Sequence, residues 1–391
     1  IMKSTLLILL AATTMACGEV APKKTAAQIV SDSISTADSL TRLATFQTIR
    51  SNSLNQTARF IAGIDCPADS LFALRKQSRA WQCYAKDADL DWAEFHAKNQ
   101  NMEQWVQTNV VPRSCKIQSV IYPFSGPDFL HLNIFFPQAK SIYMLGLEPI
   151  GSVPKVNKID TMDLEKYVDM YRQAIAEITE ISYYRTKSMF EDVNNFSIDG
   201  VSPVVMIFLA RSGKYLLSVD SMTLSDQGVP ISAKGMGHSR NRGVIITYRS
   251  ESGTTMRELL FFTGDIEDPA LERNTARRKF IESISCQGGF SKSASYLMHH
   301  KSFSTIRNTM LRNCQFIVQD DTGIAFKFFD PKQWDIELYG TYTKPINDFK
   351  YIFEKELKEA YNDSSRVVKP LDFRFGYNRK SNMRIATKKL N

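Results

Sequence analysis

Residues 119–149 constrain this chain more than any other stretch. Ser119-Val120-Ile121-Tyr122 is a short unbroken apolar run, the form taken by a strand buried on both faces. Pro123-Phe124-Ser125-Gly126-Pro127-Asp128 reads as a turn, Phe129 to Phe136 as a short apolar helix, and Ser141 to Leu147 as a second strand ending at Glu148-Pro149. Two strands joined through a helix form a parallel crossover rather than a hairpin. A parallel unit cannot leave its faces in water, so helices must cover it. The chain can supply them: of its 391 residues 43% are hydrophobic and 23% charged, which excludes wholesale disorder, collagen-like repeats and a coiled coil.

Upstream, the period is helical. Ile29, Ile34, Ala37, Leu40, Leu43, Ala44 and Ile49 recur at three-to-five-residue spacing, and Trp81, Tyr84, Trp92, Phe95 and Trp105 continue the pattern. Residues 25–112 are therefore expected to be a helical segment ahead of an α/β domain at 116–391. After the crossover, Asp160 or Thr161 caps a long amphipathic helix striped by Leu164, Val168, Tyr171, Ile175 and Ile178. Glycine-bearing turns then separate apolar runs, which predicts hairpins over 204–210/214–219, 244–250/256–263 and 316–320/324–329. Helices are expected at 271–283, 291–299, 303–313 and 346–360. The fold class read from this grammar is α/β with mixed α+β character: a parallel crossover and a mixed sheet extended by hairpins.

The first residues read as an address. Met2-Lys3-Ser4 carries one positive charge, and the apolar run through Leu6 to Ala12 is shorter than the ~20 residues a spanning helix needs. Thr14-Met15-Ala16-Cys17-Gly18 resembles the lipobox of bacterial lipoproteins. That resemblance implies a signal peptide at 1–16, lipidation of Cys17, a tether at 17–24, and attachment to the cell envelope through the lipid alone. The other five cysteines are an odd number, so no dense disulfide framework exists. Cys66 and Cys83 flank a helical segment and can pair in an oxidising compartment.

Chemistry-bearing motifs are sparse. No Gly-x-Ser-x-Gly, His-Glu-x-x-His, Walker or Cys-x-x-Cys pattern occurs, so no metal site is expected. Asp128 and His131 share one face of the short helix and form the best acid–base fragment. Asp321-Thr322-Gly323 is similar to the Asp-Thr-Gly loop of aspartic proteases but occurs once and reads as a turn. Asp320 and Asp321 join Asp128 and His131 as candidate catalytic groups. Trp334, Tyr339, Tyr342 and Phe349 could cover a sheet edge or stack on sugar rings.

The crossover itself resembles the opening of a Rossmann-like domain of the class I methyltransferase type, with an acid 22 residues after the turn glycine. That resemblance implies a ligand held by Ser125, Gly126, Asp128 and Glu148, the last on ribose hydroxyls. Here prolines 123 and 127 replace the usual glycines, and export removes the cofactor supply, so no cofactor is expected. Tyr122-Pro123-Phe124-Ser125-Gly126-Pro127-Asp128-Phe129, Ser293-Ala294-Ser295-Tyr296-Leu297-Met298-His299, Gln319-Asp320-Asp321-Thr322-Gly323 and Leu338-Tyr339-Gly340-Thr341-Tyr342 resemble an uncharacterised group of exported bacterial proteins.

The formal charge of +8 invites a nucleic-acid reading. Its location argues otherwise: from Arg366 to Lys389 eight basic residues face one acid, Asp372, while the rest of the chain beyond residue 16 is balanced. No nucleic-acid partner is expected. Leu371, Phe373, Phe375 and Tyr377 alternate with polar residues, which predicts a strand returning through Met383 and Ile385 as a basic C-terminal hairpin. Such a hairpin either protects a sheet edge or meets an anionic envelope surface. The expected function is non-catalytic binding of a ligand or partner at the envelope. The alternatives are an enzyme acting on envelope carbohydrate or lipid, and a methyltransferase-like fold without its cofactor.

Overall fold

A computed structural model describes residues 53–67, 72–159, 163–181, 199–235, 241–250, 253–377 and 381–389. The signal, Cys17, the tether, the helical pattern up to residue 52 and the cap at 160–161 lie outside the described residues. The α/β character is as read from the sequence. The strands are β1 (Ser119–Pro123), β2 (Ser141–Gly146), β3 (Lys214–Leu224), β4 (Pro230–Ser232), β5 (Arg242–Ser250) and β6 (Met256–Thr263). They continue as β7 (Gly288–Ser291), β8 (Phe316–Gln319), β9 (Trp334–Gly340), β10 (Val368–Lys369) and β11 (Asn382–Lys388). All join one sheet in the order β10-β9-β11-β8-β7-β1-β2-β6-β5-β3-β4.

The centre is parallel: β1 pairs with β2 and β7, β2 with β6, and β7 with β8. Alternate residues of each strand enter opposite cores. Val120, Ile142, Leu259 and Val318 face helices α1 (Ser53–Ile61), α2 (Arg79–Asn109), α3 (Phe129–Phe135), α4 (Leu164–Ile181) and α5 (Val201–Arg211). Ile121, Leu145, Leu260 and Ile317 face α6 (Asp268–Arg273), α7 (Thr275–Ser283) and α8 (Ser304–Asn313). Burying each such side chain contributes ~1.5–3 kcal/mol. Helix α9 (Lys355–Asn362) closes a small third core with Leu338 and Tyr342. Among the described residues no helix is long and apolar enough to cross a membrane.

The parallel crossover and the hairpin of β5 and β6 form as expected. Other readings are corrected. Val204–Ala210 is not a strand but the middle of α5, whose residues from Val201 to Ala210 are all buried. An apolar run enclosed on every side has no polar face to reveal its period. Ile324–Phe329 is no strand either. The Gln319 side chain accepts from Ile324 N at 2.9 Å and donates to Ile324 O at 2.8 Å, so an amide takes the place of a strand partner.

Helix 271–283 breaks at Asn274, whose side chain caps α7 by accepting from Arg277 N at 3.0 Å. The expected helix at 346–360 is reduced to a single turn at Asn347–Phe349 followed by α9. Ser291–His299 is the end of β7, a loop and one helical turn.

The C-terminal hairpin does not form. Residues 371–377 pair with no strand, although Leu371, Phe373 and Phe375 pack into the main core. β11 instead inserts antiparallel between β8 and β9, where a continuous ladder on both sides outweighs a two-stranded ribbon. Cys66 and Cys83 are not bridged: Cys66 is buried and donates to Gln56 O, while Cys83 is exposed on α2. Trp334, Tyr339 and Tyr342 are core residues.

Candidate functional site

From β1 the chain turns through α3 to β2 on one side, and from β7 it turns through α8 to β8 on the other. β1 and β7 are neighbours, so the loops that follow them diverge and open a crevice at the carboxyl ends of the strands. A pocket with a cavity volume of about 70 Å³ occupies it, room for roughly five waters at ~10–15 Å³ each. Ser125, Gly126, Asp128 and Glu148, all singled out from the sequence, line this pocket, together with Lys292 and Ser293 from the second loop.

The floor is an ionic cluster. Asp128 caps α3, accepting through Oδ1 from His131 N at 3.2 Å and contacting His131 Nδ1 at 2.9 Å. Its Oδ2 accepts from Tyr122 OH at 3.1 Å and lies 3.0 Å from Lys292 Nζ. Lys292 Nζ is also 3.2 Å from His131 Nδ1. Asp128 and Lys292 are each 2% exposed and His131 0%. Burial pushes the Asp128 carboxyl up, but the charges and hydrogen bonds of His131 and Lys292 outweigh it and hold the group well below the usual carboxylate range. Burial lowers both His131 and Lys292. The consistent assignment is an ionised Asp128 with Lys292 as its ammonium partner and a neutral His131 donating through Nδ1, since an ionised carboxylate has no proton to give.

Glu148 stands apart from this cluster. Its Oε2 accepts from Leu147 N at 3.0 Å, and burial pushes its carboxyl up. The wall opposite is backbone in a costly conformation. Phe124, Ser293, Ser295 and Tyr296, at φ between 52° and 57°, are the non-glycine residues with positive φ among those described, and all four lie at or beside this pocket. Each costs ~1–2 kcal/mol relative to ordinary backbone. Strain of this kind persists only where the surroundings over-determine it.

For the loop after β7, Asp320 and Asp321 supply that determination, and neither lines the pocket. Asp320 Oδ2 accepts from Ser293 N at 3.0 Å, and Oδ1 accepts from Thr322 N at 3.0 Å. Thr322 Oγ1 accepts from Ala294 N at 2.7 Å, and Tyr296 OH donates to Asp321 Oδ2 at 2.5 Å. From above, Tyr377 OH donates to Ser293 O at 2.6 Å. Burial, then the Asp321 charge, pushes Asp320 up to about 6; burial also raises Asp321. His299 and Glu354 lie on the far side, 3.6 Å apart, His299 pushed down to about 3 and Glu354 up to about 7, both mainly by burial.

Members of the site that escaped the sequence reading include Tyr122 as a donor, Lys292 and Ser293. Lys292 follows β7, whose Gly288-Gly289 start hid a strand. A Cβ at Gly288 would lie 2.8 Å from Ile117 Cγ2, so the glycine permits the close layer packing there. The basic tail is largely used inside the molecule. Arg384 is 1% exposed and donates to Asp320 O, Lys369 pairs with Glu337, and Lys388 donates to the carbonyls of Leu311 and Arg312. Among the described residues no three His, Cys, Asp or Glu side chains converge as a metal site requires. Comparison of the chain with protein-family models, curated proteins and solved structures finds no match.

Proposed function

We propose that this chain is an envelope lipoprotein, anchored through Cys17, that holds a small polar ligand in the pocket between the loops after β1, β2 and β7 without acting on it. The observation that carries the reading is the closure of Asp128, His131 and Lys292 on one another. The groups suited to acid–base work are buried in the floor, where the Asp128 carboxylate pairs with Lys292 and accepts from His131. Beyond these groups the polar side chains of the lining include the Glu148 carboxyl and the hydroxyls of Ser125, Ser293 and Ser295, which can hold a small polar ligand.

A methyltransferase-type origin of the sheet is supported by its order. β9-β11-β8-β7-β1-β2-β6 is parallel except for β11, the last strand in the chain, which lies antiparallel between β8 and β9. Class I methyltransferase sheets share that arrangement. The residues do not fit S-adenosylmethionine. A cavity of about 70 Å³ is well below the ~300–1,000 Å³ of ordinary ligand sites. The turn where backbone would meet the cofactor is stiffened by Pro123 and Pro127, and its Asp128 is tied to Lys292.

The test is a thermal-shift panel of monosaccharides, amino acids and small amines on the full mature chain and on Leu147→Trp. Leu147 is 56% exposed at the rim, so the indole can cover the pocket without touching the core. A shift present in the wild type and absent in the variant is expected; shifts indifferent to the variant would overturn the assignment. For the anchor, Cys17→Ala is expected to leave the detergent phase for the aqueous one, and unchanged partition would remove the lipid from the reading.

A further inference from the structure

The pocket lining is unbalanced. Asp128 and Lys292 neutralise one another at 3.0 Å, which leaves the charge of Glu148 unanswered. Apart from the backbone N–H groups of Leu147 and of Glu148 itself, nothing among the described residues meets this carboxyl, which is 7% exposed. The other polar groups around it have acceptor capacity to spare. Ser125 Oγ donates to Gly126 O at 2.8 Å, keeping its lone pairs. Ser293 Oγ is buried with no hydrogen-bond partner, although a hydroxyl placed this way ordinarily finds one. Phe124 adds an aromatic side chain to the lining, a favourable neighbour for a cation.

We infer that the ligand of this pocket carries a primary ammonium group, which pairs with Glu148 and donates to the hydroxyls of Ser125 and Ser293. An ammonium offers three donors and no acceptor, matching three acceptors on the lining. A neutral polyol would satisfy the hydroxyls but leave a buried carboxylate without a counter-ion, the costlier arrangement. The cavity of about 70 Å³ admits an aminoalcohol rather than a nucleotide. This inference rests on the pocket being a binding site at all, as proposed above.

Ethanolamine and ethylene glycol are matched in size and differ in charge. Titration calorimetry of both on the mature chain at neutral pH separates the possibilities. Ethanolamine is expected to bind, with ethylene glycol at least about tenfold weaker, and Glu148→Gln to cost ethanolamine about tenfold or more while leaving the glycol unchanged. Ser293→Ala serves as a second variant should Glu148→Gln unfold, and it is expected to weaken ethanolamine several-fold. Equal binding of the two probes, unaffected by Glu148→Gln, would overturn the ammonium assignment and leave the binding pocket standing. No binding of either probe, with no ligand in the wider panel sensitive to Leu147→Trp, would overturn both.

Discussion

Lys292→Met is the most informative single change. Its Nζ lies 3.0 Å from Asp128 Oδ2 and 3.2 Å from His131 Nδ1 in a cluster with no solvent exposure of the lysine side chain. Methionine keeps the length and packing but removes the cation. Asp128 is then a buried carboxylate held by Tyr122 and His131 alone, and breaking a buried pair from one side costs ~3–5 kcal/mol. Asp128→Asn retains the oxygen that caps α3, so it loses the charge without the cap. Combining the two removes both charges, and the pair of changes is expected to cost ~2–3 kcal/mol less than the sum of the singles. Urea unfolding at pH 7 measures each variant. The cost of Lys292→Met is expected to shrink in acid: without Lys292, burial raises Asp128, so the carboxyl takes up a proton already above the ordinary carboxylate range and the unpaired charge is removed. A cost under ~1 kcal/mol for Lys292→Met, or strict additivity in the double variant, would refute the account of the floor as a mutually dependent ion cluster.

Ser293→Gly relieves a residue at φ 55° and deletes a buried hydroxyl without a partner, so the unfolding free energy from urea denaturation should rise by ~1 kcal/mol even as the pocket loses an acceptor. The contributions of Asp320 and Glu354 to stability should fall as pH rises from about 5 to 8, while His299 and His131, held neutral by burial, contribute in the opposite sense below the ordinary histidine range. Asp320, near 6, and Glu354, near 7, hold protons in the folded chain that unfolded carboxyls at ~4 have already lost. Asp128 has the opposite sign: its contribution is present above ~4 and disappears only in stronger acid. In a denaturation series the stability of the wild type relative to Asp320→Asn should fall between pH 5 and 7, and a difference that stays constant or rises through that window would contradict the assignment.

The crossover at 119–146 was legible because both its strands are continuous apolar runs and its turn carries prolines, a glycine and a capping aspartate. The pocket residues Ser125, Gly126, Asp128 and Glu148 could be placed for the same reason: they follow the two strands at fixed offsets along one local segment. Where burial was complete the pattern lost its meaning. α5 looked like a strand because no face of it meets water, and β7 was missed because two glycines take the place of its side chains.

By itself, then, the sequence determined the class of the fold, the position of the crossover and one side of the candidate site, since these depend on local periodicity and turn chemistry. Only the tertiary structure decided what faces that side. Lys292 lies far along the chain from Asp128 and meets it because β7 pairs with β1. The same pairing logic placed β11 between two strands rather than in a hairpin and drew Arg384 into the core beneath Asp320. Long-range register has no local signature, because the free energy that selects it comes from burying whole faces at once.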